Sequence, residues 1–174
     1  MKNSVLIAYA SKKGSTKEIS QAIYSSFMDM NITVAIKDVS RVDNINDYNT
    51  LIIGSSVYYG MWQKNFVKFL SLNKETLCKK NIWIFSSGPT GIGKPTDITE
   101  DWLFPAKQKQ LIDTIQPVEI VLFHGNLDRK HMNFFEKFII NKVNGAFGDF
   151  RVWDDIKSWS TSIGKFILNN KNND

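Results

Sequence analysis

The strongest constraint on the fold is an alternation of short apolar runs with stretches of helical periodicity. Val5 to Tyr9 is an uninterrupted apolar run of strand length, which is typical of a strand buried on both faces. The next segment repeats apolar residues at spacings of three and four, which indicates an amphipathic helix. These residues are Ile19, Ala22, Ile23, Phe27 and Met30.

The same succession recurs along the chain. Further strands are predicted at residues 32–39, 51–54, 82–85 and 118–123, the first of them near an edge because it alternates apolar with polar residues. Helices are predicted around residues 66–70 and over 106–115, 132–143 and 153–168. The pattern predicts one α/β domain over residues 1–174, a doubly wound five-stranded parallel sheet with helices on both faces.

Composition excludes several classes of protein. One cysteine, Cys78, rules out an internal disulfide and a cysteine-built metal site, and the two histidines form no HExxH pattern, so no metal is expected. The net charge of +5 is spread along the chain, which disfavours nucleic acid as a partner. The N-terminus lacks signal-peptide anatomy and no apolar stretch could span a bilayer, so a cytoplasmic protein is expected.

Ligands of doubly wound sheets bind beyond the carboxyl ends of the strands, where the strand order reverses. The loop after the first strand concentrates three hydroxyls and a glycine before a helix, which suits an anion held by backbone N–H groups. Its residues are Ser11, Lys12, Lys13, Gly14, Ser15 and Thr16. An equally weighted alternative is that Ser15 or Thr16 only caps the helix, with Glu18 completing a capping box.

Other nucleotide-binding loops fit less well. The first loop lacks the GxGxxG spacing of dinucleotide-binding proteins, and the strand ends lack the acidic cluster of phospho-acceptor receivers. Gly88 to Lys94 nearly matches the phosphate-loop pattern GxxxxGK[ST], but Pro95 stands where a magnesium-binding hydroxyl is needed. An NTPase is therefore disfavoured.

Two further loops suit a flat ligand. The loop after the third strand carries three large aromatic residues among small ones, which favours stacking on an aromatic ring, although one or two rings could pack back onto the sheet. Its residues of interest are Ser56, Val57, Tyr58, Tyr59, Gly60 and Trp62. The loop after the fourth strand would form the opposite wall with Ser86, Ser87, Gly88, Pro89, Thr90 and Gly91. An anion site beside an aromatic platform fits FMN.

With these loops in this order, the chain resembles flavodoxins over essentially its whole length, and in particular flavodoxin-like protoporphyrinogen oxidases that pass electrons to quinone. The resemblance implies that the first loop holds the FMN phosphate. It also implies that residues 56–62 and 86–91 flank the isoalloxazine ring. It implies a quinone or a redox protein as partner, leaves the oligomeric state open with a homodimer as one option, and identifies no catalytic base.

Two functions remain open at this stage: an FMN-dependent oxidoreductase and a plain electron carrier. Carrier flavodoxins resemble one another in being acidic, whereas this chain is basic. The segment 126–148 is also longer than the corresponding segment that a carrier needs. Its mixture of phenylalanine and lysine fits either peripheral membrane contact or an ordinary helix that covers the sheet.

The chain also departs from the oxidase pattern. Tyr58 stands where those oxidases carry a basic residue, and the segment after the fourth strand is acidic at Asp97, Glu100 and Asp101. Near the last helix, Asp149 is expected to be a structural turn residue and Arg151 a surface partner of Asp154 or Asp155.

Overall fold

The computed structural model describes residues 5–128 and 146–171. The strands are β1 Val5–Ala10, β2 Val34–Asp38, β3 Thr50–Tyr58, β4 Met61–Trp62, β5 Asn81–Ser87, β6 Glu119–Phe123, β7 Asn126–Leu127 and β8 Gly148–Asp149. The helices are α1 Ser15–Asp29, α2 Lys64–Leu77, α3 Pro95–Ile98, α4 Lys109–Ile115 and α5 Trp153–Lys171. Short 3₁₀ turns cover Val39–Arg41 and Ala106–Gln108. The predicted helix over 132–143 lies outside the described residues.

Five of the strands form a parallel sheet in the order β2-β1-β3-β5-β6. This order confirms the doubly wound fold and the edge position of the second strand. β2 lies on the outer side of β1, whereas β5 and β6 lie on the outer side of β3. The strand order therefore reverses between β1 and β3. Their carboxyl ends therefore border the crevice in which such sheets bind ligands.

Helices cover both faces of the sheet, as predicted. Along β1 the side chains alternate: Leu6 and Ala8 pack in the layer with α2 and α4, whereas Val5 and Ile7 pack in the layer with α1 and α5. This alternation is the period of two that every strand imposes. The two apolar layers hold the sheet rigid beneath the loops at its carboxyl edge. Within the described ranges, no helix is long and apolar enough to cross a membrane.

The third strand is longer than predicted. Its apolar residues end at Gly54, but the backbone stays paired with β5 through Ser55 and Ser56 before turning back into β4. The turn residues Tyr59 and Gly60 have φ of 52° and 68°, the left-handed values of a two-residue hairpin. The strand continues because β5 supplies hydrogen-bonding partners, a property of the neighbouring strand that the apolar pattern does not report.

Candidate functional site

Three of the loops selected from the sequence meet at one edge of the sheet. Ala10 at the end of β1 lies beside Ser55 of β3, and Ser56 lies beside Ser87 of β5. The segments that follow these strand ends, residues 11–14, 59–60 and 88–94, are therefore neighbours around the crevice. The fold thus gathers the residues that the sequence singled out.

The first loop ends on Gly14, which has φ +96° and is the N-cap of α1. The Gly14 amide donates to Ser11 Oγ at 3.1 Å, and no described side chain caps the helix. The capping-box alternative is therefore wrong. The amides in the first turn of an α-helix have no acceptor within the helix, so those of Ser15 and Thr16 are free to face an anion.

Two buried hydroxyls at this edge have no hydrogen-bonding partner among the described residues. Thr16 Oγ1 belongs to the first turn of α1, and Ser56 Oγ belongs to the end of β3. Thr16 is fully buried, and Ser56 is 6% exposed. An unpaired buried hydroxyl costs about 1–3 kcal/mol. A hydrogen bond from each hydroxyl to a bound ligand would remove that cost. The site therefore fits a ligand that carries both a phosphate and a polar ring.

The β3–β4 hairpin forms one wall of the crevice. Tyr59 at its tip is 55% exposed, whereas Val57 and Tyr58 are half-buried. Lys12 Nζ lies 4.6 Å from the centroid of the Tyr58 ring, a cation–π distance that links the hairpin to the first loop. The wall therefore presents aromatic surface beside a positive charge.

Trp62 does not belong to this wall. It is only 4% exposed, its Nε1 donates to Ser86 Oγ at 3.0 Å, and its ring packs against Phe66 and Phe104. The Ser86 hydroxyl is fully buried and donates to the Leu103 carbonyl at 2.8 Å. These contacts correct the expectation that Trp62 and Ser86 flank a ligand, because strand alternation turns Trp62 inward. Both residues anchor the hairpin from below.

The opposite wall, residues 88–94, is held by the end of β6. Gly88 N donates to the Phe123 carbonyl at 3.2 Å, and Gly125 N donates to the Pro89 carbonyl at 3.0 Å. Ser87, at the base of this wall, is 2% exposed, and Thr90 is 8% exposed. The loop is therefore fastened at its first residues rather than left to move with solvent.

His124, to which the sequence analysis gave no role, also holds this loop. Its side chain is buried, with Nδ1 3.0 Å from the Pro89 oxygen and Nε2 2.9 Å from the Gly93 oxygen. Carbonyl oxygens only accept, so each contact is a hydrogen bond when that ring nitrogen carries a proton. The sequence signal that could have found His124 is its place at the carboxyl end of a buried strand.

Arg151 ties the last helix to the first loop. Its side chain is 4% exposed, and its guanidinium binds Glu18 Oε2 at 2.5 Å and Asp149 Oδ2 at 2.6 Å. The expectation of a surface pair with Asp154 or Asp155 is therefore wrong. The partner Glu18 is 133 residues away in sequence, and no local pattern reports so distant a contact.

The ion cluster shifts the pKa values of Asp149, at the end of β8, and of Arg151, which lies just before α5. The hydrogen bond from Arg151 holds the pKa of Asp149 below its usual range. Burial alone lowers the pKa of Arg151, but its hydrogen bonds to Asp149 and Glu18 outweigh burial, and the pKa is raised. The charged forms of these groups are therefore favoured in the folded protein.

We expect Arg151→Met to lower the free energy of unfolding by about 2 kcal/mol at neutral pH, because two carboxylates lose their partner while remaining partly hydrated. Because the pKa of Asp149 is lowered in the folded protein, its carboxylate stabilises the fold at pH values above the unfolded-state pKa of about 4. This stabilisation is lost as the pH falls through the folded-state pKa. The difference in the free energy of unfolding between wild type and variant should therefore narrow below about pH 4. Urea unfolding at neutral and acidic pH measures it.

The matched control is Lys109→Met. Lys109 pairs with Asp113 one helical turn away, with both side chains more than half exposed, so its loss should cost about 0.5 kcal/mol or less. Two results would contradict a stabilising role of the buried cluster. One is an equal loss of unfolding free energy in the two variants, and the other is a loss for Arg151→Met that does not change between neutral and acidic pH.

Comparisons with known proteins agree with this geometry. The family profile described as Flavodoxin domain matches residues 6–150. A curated protein from Escherichia coli (strain K12), named protoporphyrinogen IX dehydrogenase [quinone], is 21% identical over 169 residues, which cover 91% of this chain and 93% of that protein.

Solved structures show the same fold at lower identity. A flavodoxin from the domain Archaea superposes with a TM-score of 0.59 at 17% identity, over 95% of this chain and 99% of that one. A rubredoxin oxygen:oxidoreductase from Desulfovibrio gigas gives a TM-score of 0.61 at 14% identity over 96% of this chain, which spans only 36% of that longer protein. At these identities the likeness concerns the fold alone.

Proposed function

The chain belongs to the flavodoxin domain family and is a flavodoxin-like, FMN-binding redox protein; from that premise we propose that it oxidises a reduced, protoporphyrinogen-like substrate and delivers the electrons to a quinone. Bound FMN would supply the redox chemistry, since its ring accepts electrons from one partner and passes them to another. The protein's part is to hold the cofactor, orient it and shape access to it.

We assign the phosphate of FMN to the first loop. The free amides at the start of α1, the positive φ of Gly14 and the unpartnered Thr16 hydroxyl support this assignment. Ser15 Oγ accepts from the Asn126 amide at 3.2 Å, which leaves its own hydrogen free to donate to a phosphate oxygen. Ser11 shapes the turn through its bond with Gly14, and Lys12 and Lys13 add positive charge.

The ring of FMN would lie between the hairpin and residues 88–91. The unpartnered Ser56 hydroxyl and the aromatic side chains of Tyr58 and Tyr59 support this position. Trp62 and Ser86 hold the hairpin from the core, while His124 and Gly125 hold the opposite wall. Because both walls are fastened, they would keep the orientation of the ring constant.

Oxidase activity rests on one observation above the others, the match to the curated Escherichia coli protein over nearly the full length of both chains. Lys12 adds support. Tyr58 stands where the oxidases carry a basic residue, and the Lys12 ammonium lies over the Tyr58 ring, so a positive charge is present at that place. A cation at the mouth of the crevice suits a substrate that carries carboxylate groups.

The test is anaerobic oxidation of protoporphyrinogen by the purified, FMN-loaded protein with and without menaquinone. We expect porphyrin fluorescence to rise only with quinone present, and the Gly14→Val protein to serve as the cofactor-free control. A protein that binds FMN, leaves the substrate unchanged and instead exchanges electrons with a flavodoxin reductase or a cytochrome would be a carrier. That result would overturn the oxidase proposal and leave the FMN assignment intact.

A further inference from the structure

A second cavity, of about 580 Å³, lies on the other side of the first loop, between β1 and the edge strand β2. It shares Ser11 and Gly14 with the first loop, but its remaining lining comes from β1, β2, α1 and the 3₁₀ turn after β2. It is thus separate from the crevice between β1 and β3. Its size is within the usual range for sites that bind small molecules.

Two cations that line the cavity form no ion pair with any of the residues that the structure describes. Lys17 of α1 and Arg41 of the 3₁₀ turn both line it and are exposed, and neither forms an ion pair or a hydrogen bond within the part of the chain that the structure describes. Lys37 also lines the cavity, although strand alternation directs its side chain to the other face of the sheet. Two free cations therefore face this space, which favours an anionic ligand.

One carboxylate lies among these cations. Asp38 ends β2, and its Oδ1 accepts from both Ser40 N at 2.9 Å and Ser40 Oγ at 2.6 Å. Its Oδ2 takes part in no hydrogen bond within the described ranges. Asp38 is thus fixed by its own turn and still offers one acceptor to a ligand that carries hydroxyl groups.

Tyr9 and Ile36 give one side of the cavity an aromatic and aliphatic surface. Ile36 and Asp38 lie opposite Ile7 and Tyr9 in the parallel register, so Ile36, Asp38 and Tyr9 share one face of the sheet. Burial and the nearby Asp38 raise the pKa of Tyr9, against an opposing effect of Arg41. The Tyr9 phenol therefore stays protonated, and its ring offers flat surface beside an aliphatic side chain.

We propose that this cavity binds a nucleoside phosphate. In doubly wound sheets that bind dinucleotides, an acidic residue after the second strand holds a ribose hydroxyl, and an arginine nearby accommodates a 2′-phosphate. Asp38 corresponds in place to that acidic residue, and Arg41 with Lys17 supplies positive charge for a phosphate group on the same ribose. The base packs against Tyr9 and Ile36. The ligand is a free mononucleotide or the adenylate half of a dinucleotide, since both carry the same groups.

The experiment is calorimetric titration of the FMN-saturated full-length protein with AMP, NADP⁺, adenosine and inorganic phosphate. We expect AMP or NADP⁺ to bind at least about tenfold more tightly than adenosine or phosphate, and the tighter of the two identifies the source of the adenylate. Arg41→Gln should weaken that binding by about tenfold or more, because a charge-assisted hydrogen bond is lost. Lys68→Gln, at an exposed position of α2, is the matched control and should leave it unchanged.

Three results would overturn the proposal. Binding of inorganic phosphate as tight as that of AMP would reduce the cavity to an unspecific anion site. Binding of AMP only to FMN-free protein would place it in the crevice between β1 and β3. Unchanged AMP affinity in the Arg41→Gln variant would mean that Arg41 does not bind the ligand. The titration needs no substrate and no quinone, so it tests the cavity even if the proposed oxidase function fails.

Discussion

Replacement of Gly14 by valine is expected to abolish the retention of FMN while the protein still folds. Gly14 has φ +96°, a conformation that costs a β-branched residue about 1–3 kcal/mol. An added Cβ would lie 3.7 Å from Glu18 Oε1, an ordinary contact, so the backbone conformation is the expected cause of the strain. The strain is relieved when the loop turns its backbone, and the amides of Ser15 and Thr16 then leave the phosphate.

The expected loss of FMN affinity is about 100-fold or more, because two charge-assisted hydrogen bonds contribute about 1.5–3 kcal/mol each. The cofactor content after gel filtration and a flavin fluorescence titration measure it. Gln116→Val is the matched control, since Gln116 has φ 52° at the exposed C-cap of α4. It places a β-branched residue at a positive φ far from the crevice and should retain FMN. Unaltered FMN binding by Gly14→Val would refute the assignment of the phosphate.

Replacement of Gly54 by alanine is expected to lower the free energy of unfolding by about 3 kcal/mol. An added Cβ would lie 2.0 Å from Cζ of Phe85 and 2.2 Å from its Cε1. Gly54 sits in the middle of β3, and Phe85 is fully buried in the neighbouring β5. The ring has no free space to move into, because it also packs against Phe123 and Trp159.

The double variant Gly54→Ala, Phe85→Leu tests this cause. Leucine removes the ring atoms that the new methyl group would meet, so the two substitutions together should cost less than the sum of their separate costs, by about 1–3 kcal/mol. Thermal unfolding should show a melting temperature about 10 °C lower for Gly54→Ala alone. Additive losses would mean that the overlap with Phe85 is not what destabilises the strand.

The elements of the fold were largely predictable because their signals are local. The apolar run at Val5–Tyr9 and the three–four spacing from Ile19 to Phe27 follow directly from burial on a sheet or on one face of a helix. The loop from Ser11 to Thr16 was also predictable, since hydroxyls and glycine before a helix reflect the chemistry of that helix terminus itself. The same holds for the place of these loops, because parallel strands bring their carboxyl ends to one edge.

The parts that failed depend on partners distant in sequence. Trp62 was grouped with Tyr58 and Tyr59 of its loop, but strand pairing turns it into the core toward Ser86. Arg151 was given nearby acidic partners, whereas the docking of α5 brings Glu18 within reach. His124 received no role until the loop at Pro89 and Gly93 closed over it.

The sequence by itself therefore determined the order and type of the elements, the doubly wound sheet and the loops that border its crevice. The tertiary structure alone decided which side chains face the crevice, which support it from the core, and that a second cavity lined by Lys17 and Arg41 lies beyond the first loop. Periodicity and turn chemistry depend on residues that are close together in the sequence, so the sequence alone reports them. Burial, strand register and charge pairing exist only after distant segments have packed against one another.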